Sequence, residues 1–326
     1  MKKKSSYSAK DIEVLKGLDP VRKRPGMYIG NINEEGLHHL VNEIFDNSID
    51  EVLAGHAKNL SLYYSKDKFI TIKDDGRGIP VDFHPKYKNK RALEVVLTTL
   101  HSGGKFNNKI YEISSGLHGV GISVVNALCD TFEIKVYNKS KLYSQIYKKG
   151  KPISKVKITK CAKNLKGTEI KFKPDNSIFE NINFVPEKLY NFLKAKAFLI
   201  KGINIHWKID KEILINKKLP KQISFSYPNG MKDYFKETFS RKKLILKDFH
   251  AEIQLDKKEK CEVYLSFNED GLKSFNSFCN TIQTPDGGSH ETALKYAVIK
   301  AIKEFGKKHQ LNKINNISGN DLFDYT

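Results

Sequence analysis

The sequence is short of cysteine, of long apolar runs and of acid. Its four cysteines, Cys129, Cys161, Cys261 and Cys279, lie far apart with no C-x-x-C pair. That spacing offers neither a zinc-finger ligand set nor a disulfide framework. No stretch reaches the roughly 18 consecutive apolar residues of a membrane-spanning helix. After Met1-Lys2-Lys3-Lys4 the chain stays polar from Ser5 to Lys10, without the apolar core of a secretory signal. A cytoplasmic chain with no membrane partner is expected. Acid is outnumbered, with 57 Lys and Arg against 37 Asp and Glu and a formal net charge of +20. Such an excess favours a polyanionic partner, because Lys and Arg release counterions from phosphate. A generally lysine-rich surface accounts for the composition equally well.

What is present is ordinary for a globular protein. Hydrophobic residues make up 39% and charged residues 29% of 326 positions, enough for buried cores. The length suits about two domains. Residues 1–30 read as a charged arm ending in Pro25-Gly26-Met27-Tyr28-Ile29-Gly30. The spacing of Leu37, Val41, Ile44 and Phe45 predicts a helix over 36–54. Strands are predicted at 59–64 and 68–73, then a helix near 91–101. Glycines dominate from Gly103 to Gly121 and lead into a helix ending near Leu128. Strands at 131–138, 141–148 and 167–173 follow. Helix 186–197 is expected to pack on them, and strand 203–209 to close the sheet. Polar residues and Pro220 mark a boundary near Lys217–Lys221. Beyond it, strands are predicted near 222–227, 260–268 and 274–283, with a helix over 289–308. The fold class is α+β, two units with mixed sheets.

Four pieces carry chemistry. On a helical wheel His39, Glu43, Asp46, Asn47 and Asp50 share one face of helix 36–54, opposite Leu37, Val41, Ile44 and Val52. Glu43 could take a proton from water, and Asn47 could offer an oxygen to Mg²⁺. His39 lies one turn before Glu43 and could orient it. On its own, the stripe reads more simply as a solvated face. The second piece is Asp74-Asp75-Gly76-Arg77-Gly78-Ile79-Pro80, at a strand end. Its glycines allow close approach to a flat ligand, and an Asp there can accept from an exocyclic amine. Alone, it is better read as a tight surface turn. The third is Gly103-Gly104-Lys105 with Gly116-Leu117-His118-Gly119-Val120-Gly121, which runs into an apolar helix. Free N–H groups at a helix start suit phosphate. The pattern is neither the dinucleotide nor the P-loop fingerprint. The fourth is Gly167-Thr168-Glu169-Ile170, where a hydroxyl could complete a nucleotide pocket.

In order and spacing these pieces resemble the GHKL ATPases, the group of gyrase, the heat-shock chaperone, histidine kinases and the mismatch-repair ATPase. Longer strings narrow the resemblance to B subunits of bacterial type II DNA topoisomerases. They are Val21-Arg22-Lys23-Arg24-Pro25-Gly26-Met27-Tyr28-Ile29-Gly30, Leu100-His101-Ser102-Gly103-Gly104-Lys105-Phe106, and Gly116 through Leu128. Gln283-Thr284-Pro285-Asp286-Gly287-Gly288-Ser289-His290 resembles the transducer domain, so almost the whole chain is covered. Leu193-Lys194-Ala195-Lys196-Ala197, Tyr227 through Tyr234 and Gly319 through Asp324 look more like topoisomerase IV than gyrase. Another GHKL enzyme would lack the Arg-Pro-Gly-Met-Tyr arm. A purely DNA-binding basic domain would not need the Glu43–Asn47 face.

The resemblance implies a dimerisation arm over 1–30. It implies a GHKL (Bergerat) ATP-binding sandwich of helices on a mixed sheet over 31–218. A transducer domain of ribosomal-protein-S5-like type over 219–326 would follow. Glu43 would be the general base, supported by His39, and Asn47 the Mg²⁺ ligand. Asp74 would read the adenine amine, with Arg77 against the adenine face and held by Glu51. Gly78, Ile79 and Pro80 would line the base pocket, with Thr168 nearby. Gly103, Gly104, Lys105, Tyr111, Leu117, His118, Gly119, Val120 and Gly121 would form a mobile phosphate lid. Tyr7 and Ile12 would reach the other protomer's nucleotide. ATP binding would close a dimeric clamp on DNA, and an A-type subunit would carry the cleavage tyrosine. Inhibitors could occupy the adenine pocket. The family's Gln-Thr-Lys loop, whose lysine reaches the γ-phosphate, is not in the sequence, so weak turnover is expected of the isolated chain.

Overall fold

The computed structural model describes Ser8, Thr326 and residues 11–103, 119–214, 218–239, 244–245, 248–256, 259–269, 271 and 274–324. The chain divides into two compact units. The first is Met1–Lys194 with Ile203–Ser226, and the second is Ala195–Gly202 with Tyr227–Thr326.

The first unit opens with two short helices, α1 (Asp19–Lys23) and α2 (Gly26–Ile29). The long helix α3 (Glu34–Leu53) follows. Asn33 caps it, its side chain accepting from the amides of Glu35 and Gly36, and Glu34 and Glu35 place acid in the first turn. Strands β1 (Asn59–Tyr64) and β2 (Ile70–Asp74), the hairpin β3 (Phe83–His84) and β4 (Tyr87–Arg91), and helices α4 (Ala92–Thr98) and α5 (Gly121–Leu128) come next. Then run β5 (Cys129–Asn138), β6 (Lys141–Lys148), β7 (Lys151–Pro152), β8 (Lys157–Lys160), β9 (Gly167–Pro174), α6 (Pro186–Leu199), β10 (Asn204–Ile209) and β11 (Gln222–Ser226).

Nine of these strands form one mixed sheet in the order β11-β10-β1-β2-β9-β5-β6-β7, with β8 also paired to β6. Among the described residues, only β1 and β10 pair in parallel. Strand β1 alternates, with Leu60, Leu62 and Tyr64 buried, the period-two pattern of a sheet covered on one face. Helix α3 packs on β2, and α5 on β5 and β6. Helix α6 contributes edge-to-face ring contacts, Phe192 with Phe45, and Tyr190 with Trp207 and Phe225. Trp207, Tyr64, Tyr147, Phe45, Phe132, Phe172 and Phe179 are fully buried. Each contributes roughly 1.5–3 kcal/mol by leaving water.

The second unit contains α7 (Met231–Phe239), the hairpin β12 (Phe249–Gln254) and β13 (Lys260–Leu265), and a minimal hairpin β14 (Phe278–Cys279) and β15 (Ile282–Gln283). Helices α8 (Ser289–Lys308) and α9 (Gly319–Phe323) complete it, the latter with a Ser318–Asp321 capping box.

Three sequence expectations change. Strand 203–209 does not close the sheet, because β11 pairs antiparallel with β10 beyond it. The strand expected to start the second part therefore belongs to the first. The long strand expected over 274–283 is two residues on either side of an Asn280-Thr281 turn. No helix among the described residues is long and apolar enough to cross a membrane.

Candidate functional site

Helix α3 presents a polar face built at helical spacing. The His39 Nε2 lies 3.2 Å from Glu43 Oε1. That hydrogen bond is the main reason the imidazole is held above its ordinary range, against the opposing pull of burial. One turn on, Asn47 Nδ2 donates to the Glu43 carbonyl at 2.8 Å. A carboxamide whose nitrogen is so engaged has its oxygen as the end that could hold a metal. One neutral oxygen suits Mg²⁺, which keeps several waters and takes few protein ligands. The Glu43 carboxylate also reaches the first residue of α5. A Cβ built on Gly121 would meet Glu43 Oε2 at 1.9 Å. Glycine there lets a carboxylate sit at a helix N-terminus, where the partial positive charge favours it.

The second cluster surrounds Asp74, the last residue of β2 and only 6% exposed. Ser48 Oγ donates to Oδ2 at 3.1 Å. The amides of Gly76 and Thr168 donate to Oδ1 at 2.9 and 3.3 Å. Burial nevertheless dominates and pushes the carboxyl up to about 6. Among the described residues, no lysine or arginine pairs with it. The packing admits only glycine at Gly167, where a Cβ would meet the Asp74 carbonyl oxygen at 2.0 Å and φ is +110°. Gly78, at φ +78°, sits against Val136. Arg77 is gripped by Glu51 through its amide at 2.9 Å, its Nε at 3.1 Å and its Nη2 at 2.8 Å. The bidentate fork fixes the guanidinium plane.

Glu51 thus joins His39, Glu43 and Asn47 on α3, and Ser48 ties that helix to Asp74. Ile79 is half-buried and Pro80 exposed on the loop after β2, and Thr168 is buried on β9. Gly103 is exposed, whereas Gly119, Val120 and Gly121 are half-buried. Tyr7, Gly104, Lys105, Tyr111, Leu117 and His118 lie outside the described residues. Ile12 is 59% exposed. Asp50 corrects the helical wheel: it is fully buried, while Val52 is partly exposed. Helix α3 meets α2, α5 and β2, so its covered arc is wider than its apolar residues mark. Asp75 does a structural job. It accepts from the Lys58 and Asn59 amides and the Asn59 side chain at 2.7–3.0 Å. The residue that sequence reasoning passed over is Ser48, whose i+5 offset from Glu43 gives no pattern.

Known proteins are similar to this chain in sequence and fold. A family model described as histidine kinase-, DNA gyrase B-, and HSP90-like ATPase matches residues 32–177, and one described as DNA gyrase B matches 230–325. The 43K ATPase domain of Thermus thermophilus gyrase B, crystallised with an aminocoumarin, superposes with a TM-score of 0.73 at 33% identity. That match covers 95% of this chain and 79% of the other. The chain belongs to the gyrase B and topoisomerase IV B family. The B subunit of DNA topoisomerase 4 from Rickettsia felis is 46% identical over 324 residues, 98% of this chain and 49% of the relative. The B subunit of DNA gyrase from Thermotoga maritima is 42% identical over 328 residues, 97% of this chain and 50% of the relative. The chain spans about half the length of these curated relatives. The shared fold accounts for both the sheet-and-helix first unit and the second unit that follows it.

Proposed function

We propose that the chain is the ATP-binding and hydrolysing region of a topoisomerase IV-like B subunit. The observation that carries this reading is Asp74, a buried carboxylate held by three donors with no described cation beside it. A carboxylate so placed awaits a donor from outside the protein, and the adenine amine supplies one. Arg77, clamped by Glu51, would lie on the base, with Gly78, Ile79, Pro80 and Thr168 around it. The Thermus domain is in complex with an aminocoumarin, and an inhibitor of that kind would occupy the adenine pocket of this chain.

Glu43 then removes a proton from the water that attacks the γ-phosphate, and His39 positions it, a role typically worth about 10²–10⁴ in rate. Asn47 would hold Mg²⁺, which supplies charge neutralisation to the phosphates when bound. Gly103 to Lys105, Tyr111 and Leu117 to Gly121 would cover the phosphates. Residues 1–30, with Tyr7 and Ile12, would cross to a second protomer, followed by an ATP-binding domain and a transducer domain. Nucleotide-driven dimerisation would clamp DNA for passage through a break made by an A-type subunit. Higher identity to the topoisomerase 4 relative than to the gyrase one supports the topoisomerase IV side.

The test is calorimetric titration with a non-hydrolysable ATP analogue and Mg²⁺, read alongside the mass in solution. The expected result is binding that Asp74→Ala abolishes and a shift from monomer to dimer. Full affinity in folded Asp74→Ala would overturn the adenine assignment.

A further inference from the structure

The net charge of +20 is not spread evenly. Between Glu133 and Glu169 the sequence holds eleven lysines and no aspartate or glutamate. More than half of the chain's excess charge therefore sits in about a tenth of its length. Eight of the eleven, from Lys139 to Lys160, lie on or between β6, β7 and β8, the far edge of the large sheet.

The local structure sets these charges against one another. Lys141 is directly opposite Lys160 across β6 and β8, and Lys148 is opposite Lys151 across β6 and β7. Like charges facing across an antiparallel pair destabilise it. The turn into β6 puts Lys139 and Ser140 at φ +48° and +62°, where asparagine or glycine is favoured. Partners are scarce. Lys135 has Glu133 and Glu169, Lys149 has Asp175, and Lys148 is 3.9 Å from Asp130. Among the described residues, Lys139, Lys141, Lys151, Lys155, Lys157 and Lys160 meet no carboxylate within ion-pair distance, and all six are exposed. Helix α8 contrasts, since there Lys295 and Lys300 pair with Glu291 and Glu304.

We propose that this lysine edge is a docking site for the phosphate backbone of duplex DNA. The proposal rests on the reading that the chain works on DNA. An array of unpaired cations on a rigid edge matches a regular line of phosphates, and counterion release makes each contact favourable. It carries no base-reading groups, so binding is sequence-tolerant. Edge lysines also block strand-to-strand association, and a test must separate the two roles.

Charge reversal does so, because glutamate still blocks the edge but repels DNA. Anisotropy of a short labelled duplex is followed over a salt series with the full chain. The triple variant Lys151→Glu, Lys157→Glu and Lys160→Glu should bind at least tenfold more weakly. Its log K against log salt should be shallower by about 2–3. It should remain monodisperse and keep its affinity for the ATP analogue, which separates this result from a failure of the nucleotide reading. Lys208→Glu, Lys211→Glu and Lys221→Glu, the same charge change at the opposite side of the sheet, should cost little affinity. A single change, Lys141→Glu, should raise the melting temperature by facing Lys160 with an opposite charge, yet weaken DNA binding. Equal losses in the two triples would overturn the proposal, as would unchanged DNA affinity in the edge variants. Edge variants that lose binding to anionic phosphatidylglycerol vesicles but not to DNA would overturn it too.

Discussion

At the scale of single residues, Asp74 sets stability against function. Its carboxyl rises from 3.8 to about 6 chiefly through burial. Between those values the folded chain keeps a proton that the unfolded chain releases. The contribution to stability is therefore full below about pH 4 and lost as pH rises through 6. At pH 7 the ligand-free fold carries a buried charge. Asn is equal in size, and its oxygen can still accept from the Gly76 and Thr168 amides. Asp74→Asn should thus stabilise the ligand-free chain by roughly 1–3 kcal/mol at pH 7 and change little below pH 4, measured by thermal unfolding. It should at the same time weaken analogue binding. In the wild type, affinity should fall as pH drops below 6, and that dependence should vanish in the variant. A destabilised Asp74→Asn at pH 7 would mean the carboxylate is structurally required. Gly121 offers a second residue-scale case. A methyl group there collides with Glu43 Oε2, so Gly121→Ala should act as Glu43→Ala does. Both should slow phosphate release by about 10²-fold or more, with analogue binding retained in Glu43→Ala. Unchanged turnover in Gly121→Ala would show that Glu43 does not act from this position.

At the scale of elements, the arm helix α1 is seated by the buried Val21 and Leu18 and pinned by one polar side chain. Arg22 donates to the Ala127 carbonyl near the end of α5 at 2.7 Å and to Asp175 at 2.6 Å. Burial opposes the Asp175 charge, but hydrogen bonds from Ser177 and Arg22 outweigh it and hold the carboxyl at about 2. That contribution is present above pH 4 and is lost as pH falls through 2. Arg22→Ala should cost about 1.5–3 kcal/mol in urea unfolding, since it removes a charge-assisted hydrogen bond from a buried carboxylate that keeps Ser177 and the longer Lys149 contact. Arg22→Lys should recover little, because one ammonium does not span both acceptors as the fork does. Elements with strict periodicity were legible in sequence: α3, β1, β5, β6, β9 and α8 lie where the apolar spacing puts them. Three others were not. The turn between β14 and β15 uses Asn280-Thr281 at positive φ, without the glycine that normally announces it. Strand β12 does alternate, Phe249-His250-Ala251-Glu252-Ile253-Gln254, but it is mostly exposed, and so short an alternation flanked by charged residues does not stand out. Pro220 looked like a boundary, yet its carbonyl accepts from Trp207 Nε1 at 3.0 Å and leads straight into β11. The site divides the same way. His39, Glu43 and Asn47 follow from helical spacing, whereas Ser48 on Asp74 and Glu43 on Gly121 are contacts between distant segments.

At the scale of the whole molecule, the two units differ in what holds them. The largest fully buried side chains, from Trp207 to Phe179, all belong to the first. In the second, the buried apolar residues among those described are Ala197, Phe198, Ile200, Tyr227 and Phe323. Its described strands form two-stranded hairpins, which are marginal by themselves. Heating should therefore unfold the second unit first, in violation of two-state behaviour. The chain carries its own reporter for this. Trp207 is the single tryptophan and is buried in the first unit, so its fluorescence follows that unit alone, while far-ultraviolet circular dichroism follows both. The dichroism should begin to fall at a temperature where fluorescence is still native. The proposed nucleotide residues all lie in the first unit, so saturating ATP analogue should move the fluorescence transition upward by mass action and leave the earlier dichroism step in place. Coincident transitions would show instead that the second unit draws its stability from the first. A nucleotide shift of both steps together would make the two units one cooperative body, with the chemistry of the first felt throughout the second.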